Sequence, residues 1–209
     1  MVAKPVILSC FDYSTEAVKP WAEAGFTCIC VDKQHPPGIT RRGKIVLVGA
    51  DMRTWKPPKG LEIGFASFFP PCTDDAVSGS SHFRDKGLGA LIRSLQLVKA
   101  CIDIQADYRI PYYIEHPVST ISTYWRKPDY TFHPSDYGSG YTKKTCLWTG
   151  GGFVMPPKRP SNFADKNRIL GIGPCAERKN IRSRTDRGFA RAVFKANYKG
   201  VMSHHAKAA

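Results

Sequence analysis

The chain has 209 residues, 42% of them hydrophobic, with 31 Lys and Arg against 17 Asp and Glu and a net charge of +14. That length supports one domain, 1–209, with a real core. No apolar run approaches the ~20 residues of a transmembrane helix, and the five-residue run near the start is too short for a secretory signal. Seven cysteines, an odd number scattered from Cys10 to Cys175, argue for reduced thiols and against a disulfide framework, so a cytoplasmic location is expected.

In chain order, VILSCF (6–11) reads as a short buried strand broken by Asp12-Tyr13-Ser14. Ser14 or Thr15 is placed to cap a helix running to about Glu23, with Gly25 ending it. FTCICVD (26–32) and KIVLVGAD (44–51) are strands that each close on an acid, with a turn at Pro36-Pro37-Gly38 between them. Cys28 and Cys30 share one face of their strand and read as core residues. LEIGFASFF (61–69) is a fourth strand leading into Pro70-Pro71-Cys72. Residues 87–106 carry apolar side chains at helical spacing, and IPYYIEHP (110–117) is a fifth strand. Beyond residue 118 short strands are expected at 130–133 and 145–148. A basic loop or linker follows over 156–183, then a final helix over 184–198 capped by Thr185 or Asp186. Residues 200–209 read as a flexible tail.

Strands alternating with helices imply an α/β fold, a mostly parallel, Rossmann-like sheet with helices on both faces. In such sheets ligands bind outside the carboxyl ends of the strands. Phe11-Asp12, Asp32, Asp51, Cys72 and Glu115 all fall at such ends. The charge excess points to a polyanion, most simply nucleic acid. It is concentrated after residue 140, in Lys143, Lys144, Lys158, Arg159, Lys166, Arg182 and Arg184 among others. No His or Cys cluster has zinc-site spacing.

The order of these pieces resembles the cytosine-5 DNA methyltransferases, and the resemblance covers most of the chain. It implies a fold of the S-adenosyl-L-methionine-dependent methyltransferase type. LSCFDYS stands where the family's Phe-x-Gly-x-Gly motif opens the cofactor site, so Phe11, Asp12, Ser14 and Thr15 are expected on the cofactor. Asp32 is expected on its ribose, Asp51 with Met52 on its adenine, and Pro70 beside it. FFPPC supplies Cys72 as nucleophile and YYIEHP supplies Glu115. Lys143 and Lys144, after Asp136-Tyr137-Gly138, stand where the family has arginines that steady the target nucleotide.

The implied chemistry explains the residue types. A thiolate adding to carbon 6 of cytosine makes carbon 5 nucleophilic, which is covalent catalysis. A protonated carboxyl at ring nitrogen 3 offsets the charge built up by that addition. The base must leave the helix stack to reach such a pocket. The chain differs from the family in four ways, the first being lysines at 143 and 144 where the family has arginines. Its first motif has no glycine, His116 follows the glutamate where an asparagine is usual, and only a short basic stretch (141–184) replaces a target-recognition domain. Arg126, Lys158, Arg159, Arg182 and Arg184 are therefore expected on DNA phosphates with little sequence preference. The resemblance implies a compact enzyme of the kind expected in phage genomes, acting in a bacterial or phage-infected cell without membrane association. Two other readings stay open: a methyltransferase of free pyrimidine nucleotides, and an inactive DNA-binding protein on the same scaffold.

Overall fold

Short segments rich in Val, Ile, Phe and Tyr pair into one eight-stranded mixed sheet. The computed structural model describes residues 4–165, 168, 171–173 and 175–208. The elements are β1 (Val6–Cys10), α1 (Lys19–Glu23), β2 (Cys28–Val31), β3 (Gly38–Arg42), β4 (Ile45–Gly49), β5 (Ile63–Phe68), α2 (Phe83–Tyr108), β6 (Tyr112–Pro117), α3 (Ile121–Tyr124), β7 (Tyr130–Phe132), β8 (Thr145–Gly150), α4 (Arg178–Ser183) and α5 (Arg187–Ala208). The sheet order is β3-β4-β2-β1-β5-β6-β8-β7. The five strands β4, β2, β1, β5 and β6 run parallel. β3 and β8 run against their neighbours. The expected α/β class and mostly parallel sheet are thus present, and no helix among the described residues is long and apolar enough to cross a membrane.

The continuous apolar runs of the central strands arise because helices cover both faces. Alternate residues go to opposite sides. Leu8, Ala66, Ile114 and Trp148 pack with Val98, Cys101 and Ile104 of α2. Their neighbours Ile7, Phe65, Tyr113 and Leu147 pack with Trp21 of α1 and Phe189, Val193 and Val201 of α5. Each large side chain buried this way contributes roughly 1.5–3 kcal/mol. Cys28 and Cys30 lie in the core as expected.

The sheet's order reverses at β1. From there the chain steps outward through β2 to β4 and then returns to β5 on the other side. That reversal opens a crevice beyond the carboxyl ends of β1 and β5. Phe11, Asp12, Ser14, Asp32, Asp51 and Met52, singled out from the sequence, line it.

Several expectations are corrected. The first helix begins at Lys19, not after Ser14, because Thr15 takes φ +59 and turns the chain out of helical geometry. The turn at Pro36-Pro37-Gly38 opens into an added edge strand, β3. The stretch 156–183 is not all loop, since α4 forms within it; its residues 166, 167, 169, 170 and 174, Lys166 included, lie outside the described set. The last helix starts behind Asp186, whose carboxylate accepts the Phe189 amide (2.9 Å), and continues to Ala208. The tail expected to be flexible is therefore helical as far as it is described, with Ala209 outside that range. Val201 anchors it, sitting 2.9 Å from where a Cβ on Gly64 would lie. Only glycine in β5 lets α5 approach that closely, and His205 further along pairs with Glu62.

Candidate active site

A cleft of about 330 Å³ opens at the sheet's reversal point. Its walls include Phe11, Asp12, Ser14, Asp32, Asp51 and Met52 from the ends of β1, β2 and β4, and Pro71 and Thr73 from the loop after β5. Six of the eight residues expected on the cofactor therefore line one cavity. Thr15 and Pro70 do not; Pro70 is buried behind Pro71, which takes the lining position.

Asp12 organises the floor rather than offering itself to a ligand. Its carboxylate accepts hydrogen bonds from the Ser9 hydroxyl (2.9 Å), the Ser14 hydroxyl (3.0 Å) and the Thr15 amide (2.7 Å). The Ser67 hydroxyl of β5 donates in turn to Ser9 (2.9 Å), tying the loop to the neighbouring strand. Burial outweighs these bonds and raises the Asp12 carboxyl above its ordinary range. The result is a fixed turn in which Phe11 and Thr15 both adopt φ +59. For a β-branched residue that conformation costs about 1–3 kcal/mol. Thr15, a β-branched residue, thus holds a left-handed step that glycine adopts without strain. Behind it, burial would push Glu16 up, but hydrogen bonds from Arg187 (3.0 and 3.1 Å) and Lys19 (2.8 Å) hold it below the usual carboxylate range.

Asp32 spends one oxygen on the Gln34 amide (2.8 Å) and lines the cleft. Asp51 is bound by the Arg53 guanidinium and amide, which hold its carboxyl down to about 2. A base edge meeting Asp51 must compete with Arg53. The far wall comes from Arg93, Ser94 and Leu97 of α2 and from Lys179, Asn180 and Ser183 of α4.

Beside the cleft, the loop after β5 and the end of β6 meet. Cys72 is partly buried. Burial pushes its thiol up, as does the nearby Asp75 carboxylate, while Lys143 and Arg182 pull it down. Glu115 is raised by burial from 4.5 to about 7, with Lys143 opposing the shift. Lys143 Nζ lies 3.9 Å from Glu115 Oε1, and Glu115 Oε2 is buried with no protein partner. Lys143 is thus the shared cation of Cys72 and Glu115. Its neighbour Lys144 is exposed and acts on Cys146 instead. The pair expected from the sequence splits because adjacent residues in an extended segment point to opposite sides.

No protein-family model matches the chain, and no curated protein matches it.

The remaining basic residues are not one patch. Arg182 belongs to the Cys72 corner, with Arg184 exposed just after α4. Lys158 pairs with Asp136 (3.0 Å) and the Arg159 amide bonds the Asp136 carbonyl (2.7 Å). Arg126 is committed to the fold: it pairs with Asp129 (2.7 Å), donates to the Thr149 carbonyl (3.0 Å) and lies over the Trp125 ring. Sequence reading missed Asp75 and His116, which lie buried under the Cys72 loop, and the α2 and α4 wall. Asp75 sits three residues past Cys72 and His116 directly after Glu115, so proximity in sequence was the available signal. The α2 and α4 residues carry none, since only packing brings those helices to the crevice. Chemically, the corner offers a sulfur nucleophile between an acid and two cations, and a carboxyl able to hold a proton near neutral pH.

Proposed function

We propose that this chain transfers a methyl group from S-adenosyl-L-methionine to carbon 5 of cytosine in DNA through a covalent adduct on Cys72. The observation that carries the reading is the shared cation. Cys72 and Glu115, from the ends of adjacent parallel strands, both interact with Lys143. They do so beside a crevice lined by the strand-end residues that the family resemblance assigns to the cofactor. The left-handed backbone at Thr15 supports it further, since it preserves a glycine-like turn in the first motif.

The residues fit such a cofactor. Asp32 has a carboxylate suited to a diol, and Phe11, Met52 and Leu97 give apolar walls suited to a purine. The cofactor would supply the electrophilic methyl group. Cys72, as thiolate, adds to carbon 6 of an extruded cytosine, and Lys143 and Arg182 favour that thiolate. Glu115, which keeps its proton up to near neutral pH because it is buried, donates to ring nitrogen 3. After methyl transfer the carbon 5 proton passes to solvent water, the carbon–sulfur bond breaks with its electron pair returning to Cys72 as thiolate, and the ring nitrogen 3 proton returns to Glu115. Pro70 and Pro71 fix the loop so that the sulfur is held in place. Arg182, Arg184, Lys158 and Arg159 grip phosphates, giving binding with little sequence preference.

One observation favours a second reading, a DNA-binding protein without turnover: burial and Asp75 keep the Cys72 thiol up in the absence of substrate. Methyl transfer from labelled S-adenosyl-L-methionine to DNA decides between the two. The expected result is activity in the native protein and none in Cys72→Ala, with cofactor affinity nearly unchanged. Equal activity in Cys72→Ala, or DNA binding with no turnover in either protein, overturns the proposal.

A further inference from the structure

Beneath the Cys72 loop lies a cluster of buried polar groups that the proposed reaction does not use. The side chains of Asp75 and His116 are fully buried, 3.5 Å apart between Oδ1 and Nε2. Both Asp75 oxygens, His116 Nε2, and the hydroxyls of Ser94 and Thr120 are enclosed without a close hydrogen bond to protein, although the Ser94 hydroxyl faces the Asp75 carboxylate and partly offsets its burial. Orphaned buried polar atoms cost about 1–3 kcal/mol each, so a cluster of them is kept for a purpose or has a partner in the working protein.

The cluster's connections run to the nucleophile. The His116 ring faces the carbonyls of Pro71 and Pro117, the latter at 3.2 Å from Nδ1. It therefore bridges the residue before Cys72 and the end of β6. The Asp75 backbone carbonyl accepts the Thr120 amide (3.0 Å), and the Ala76 amide bonds the Cys72 carbonyl (3.1 Å), closing the loop on itself. The Asp75 carboxylate is in turn one of the charges felt by the Cys72 sulfur.

We propose that Asp75 and His116 form a positioning pair for Cys72, in which the ring ties the Pro71 and Pro117 carbonyls into one frame and the carboxylate sets the charge beside the sulfur. The inference rests on Cys72 being the reactive thiol of the proposed function. The charged groups facing the pair and the sulfur are Asp74 beside Asp75, Lys143 just before β8 and Arg182 on α4. Burial raises the Cys72 thiol most, and Asp75 adds to that rise against the two cations. Burial, the larger effect on each group, raises the Asp75 carboxyl to about 6 and lowers the His116 ring to about 4.

The test is alkylation of Cys72 by iodoacetamide as a function of pH, with the modified residue identified by mass spectrometry in a Cys175→Ser background. The other five cysteines are buried. Asp75→Asn removes the negative charge and is expected to lower the Cys72 midpoint by about one pH unit, a tenfold gain in thiolate below it. Intrinsic nucleophilicity falls with the pKa, leaving a net rate gain of about threefold at neutral pH. Asp74→Asn, whose side chain pairs with Lys86 at the surface, should leave the midpoint in place. An unchanged midpoint in Asp75→Asn, or an equal shift in Asp74→Asn, overturns the proposal. Should Asp75→Asn fail to fold, NMR of the native protein decides the matter. The His116 ring nitrogens should shift at the Asp75 carboxyl's midpoint as well as at their own lower one, and ring signals that ignore the Asp75 titration refute the pair. Neither measurement needs cofactor or DNA. A shifted thiol without methyl transfer would leave the pair standing and remove the proposed function, whereas methyl transfer with an unshifted thiol would do the reverse.

Discussion

Replacing Glu115 by glutamine should make the protein more stable above neutral pH while abolishing methyl transfer. Burial raises the Glu115 carboxyl from 4.5 to about 7, so the folded state holds a proton that the unfolded chain releases. The sign follows from that difference. Below about pH 4.5 both states are protonated and Glu115 costs nothing. As pH rises from 4.5 the unfolded state ionises first, and stability falls until the folded group also ionises near 7. A shift of this size at 1.36 kcal/mol per unit amounts to about 3 kcal/mol at about pH 8, against about 1 kcal/mol at about pH 5. Glutamine has the same shape and no proton to lose, so it escapes the whole penalty. Lys143, 3.9 Å away and 23% exposed, already holds Glu115 below where burial alone would put it, so its lost partner is contained in that figure. Urea unfolding at about pH 5 and pH 8 measures this. The variant's advantage should grow by about 2 kcal/mol between the two, a midpoint change near 1 M. An advantage that is the same at both pH values would refute the burial argument for Glu115. Preserved methyl transfer would refute its proton-donating role.

Arg182→Ala should lower the slope of log DNA affinity against log salt by about one, and it should raise the Cys72 alkylation midpoint because one of two cations beside the sulfur is gone. A lower slope with no thiol response would separate α4 from the Cys72 corner. Thr15→Gly should stabilise the protein by up to about 1 kcal/mol, since relief of the φ +59 strain exceeds the entropy cost of glycine. Thermal unfolding reads this directly, and a loss of more than 1 kcal/mol would show that the Thr15 side chain contributes more than its backbone strain costs.

Sequence alone determined the parts of this protein that depend on local pattern. Short apolar runs closed by Asp12, Asp32, Asp51 and Cys72 mark strands and their carboxyl ends, because alternating burial and abrupt polarity are written in neighbouring residues. From these the α/β class and the position of the crevice were legible, and six of the eight residues expected on the cofactor line one cavity. Local pattern failed where distant contacts overrode it. The tail at 200–208 looks flexible by composition, yet it is helical because Val201 seats against Gly64 and His205 meets Glu62, more than a hundred residues away. Arg126 reads as a free cation but is consumed by Asp129 and Thr149. Lys143 and Lys144 are equivalent in sequence, and only the direction of each side chain from an extended backbone separates them. Asp75 and His116 acquire significance only when the loop after β5 is laid over the end of β6, for burial is a property of the assembled fold. The chain's own residues thus specified which groups stand at the strand ends. Packing decided which of them share a charge, which are walled from water, and which are already spent on holding the fold together, since those energies depend on distances that sequence order does not fix.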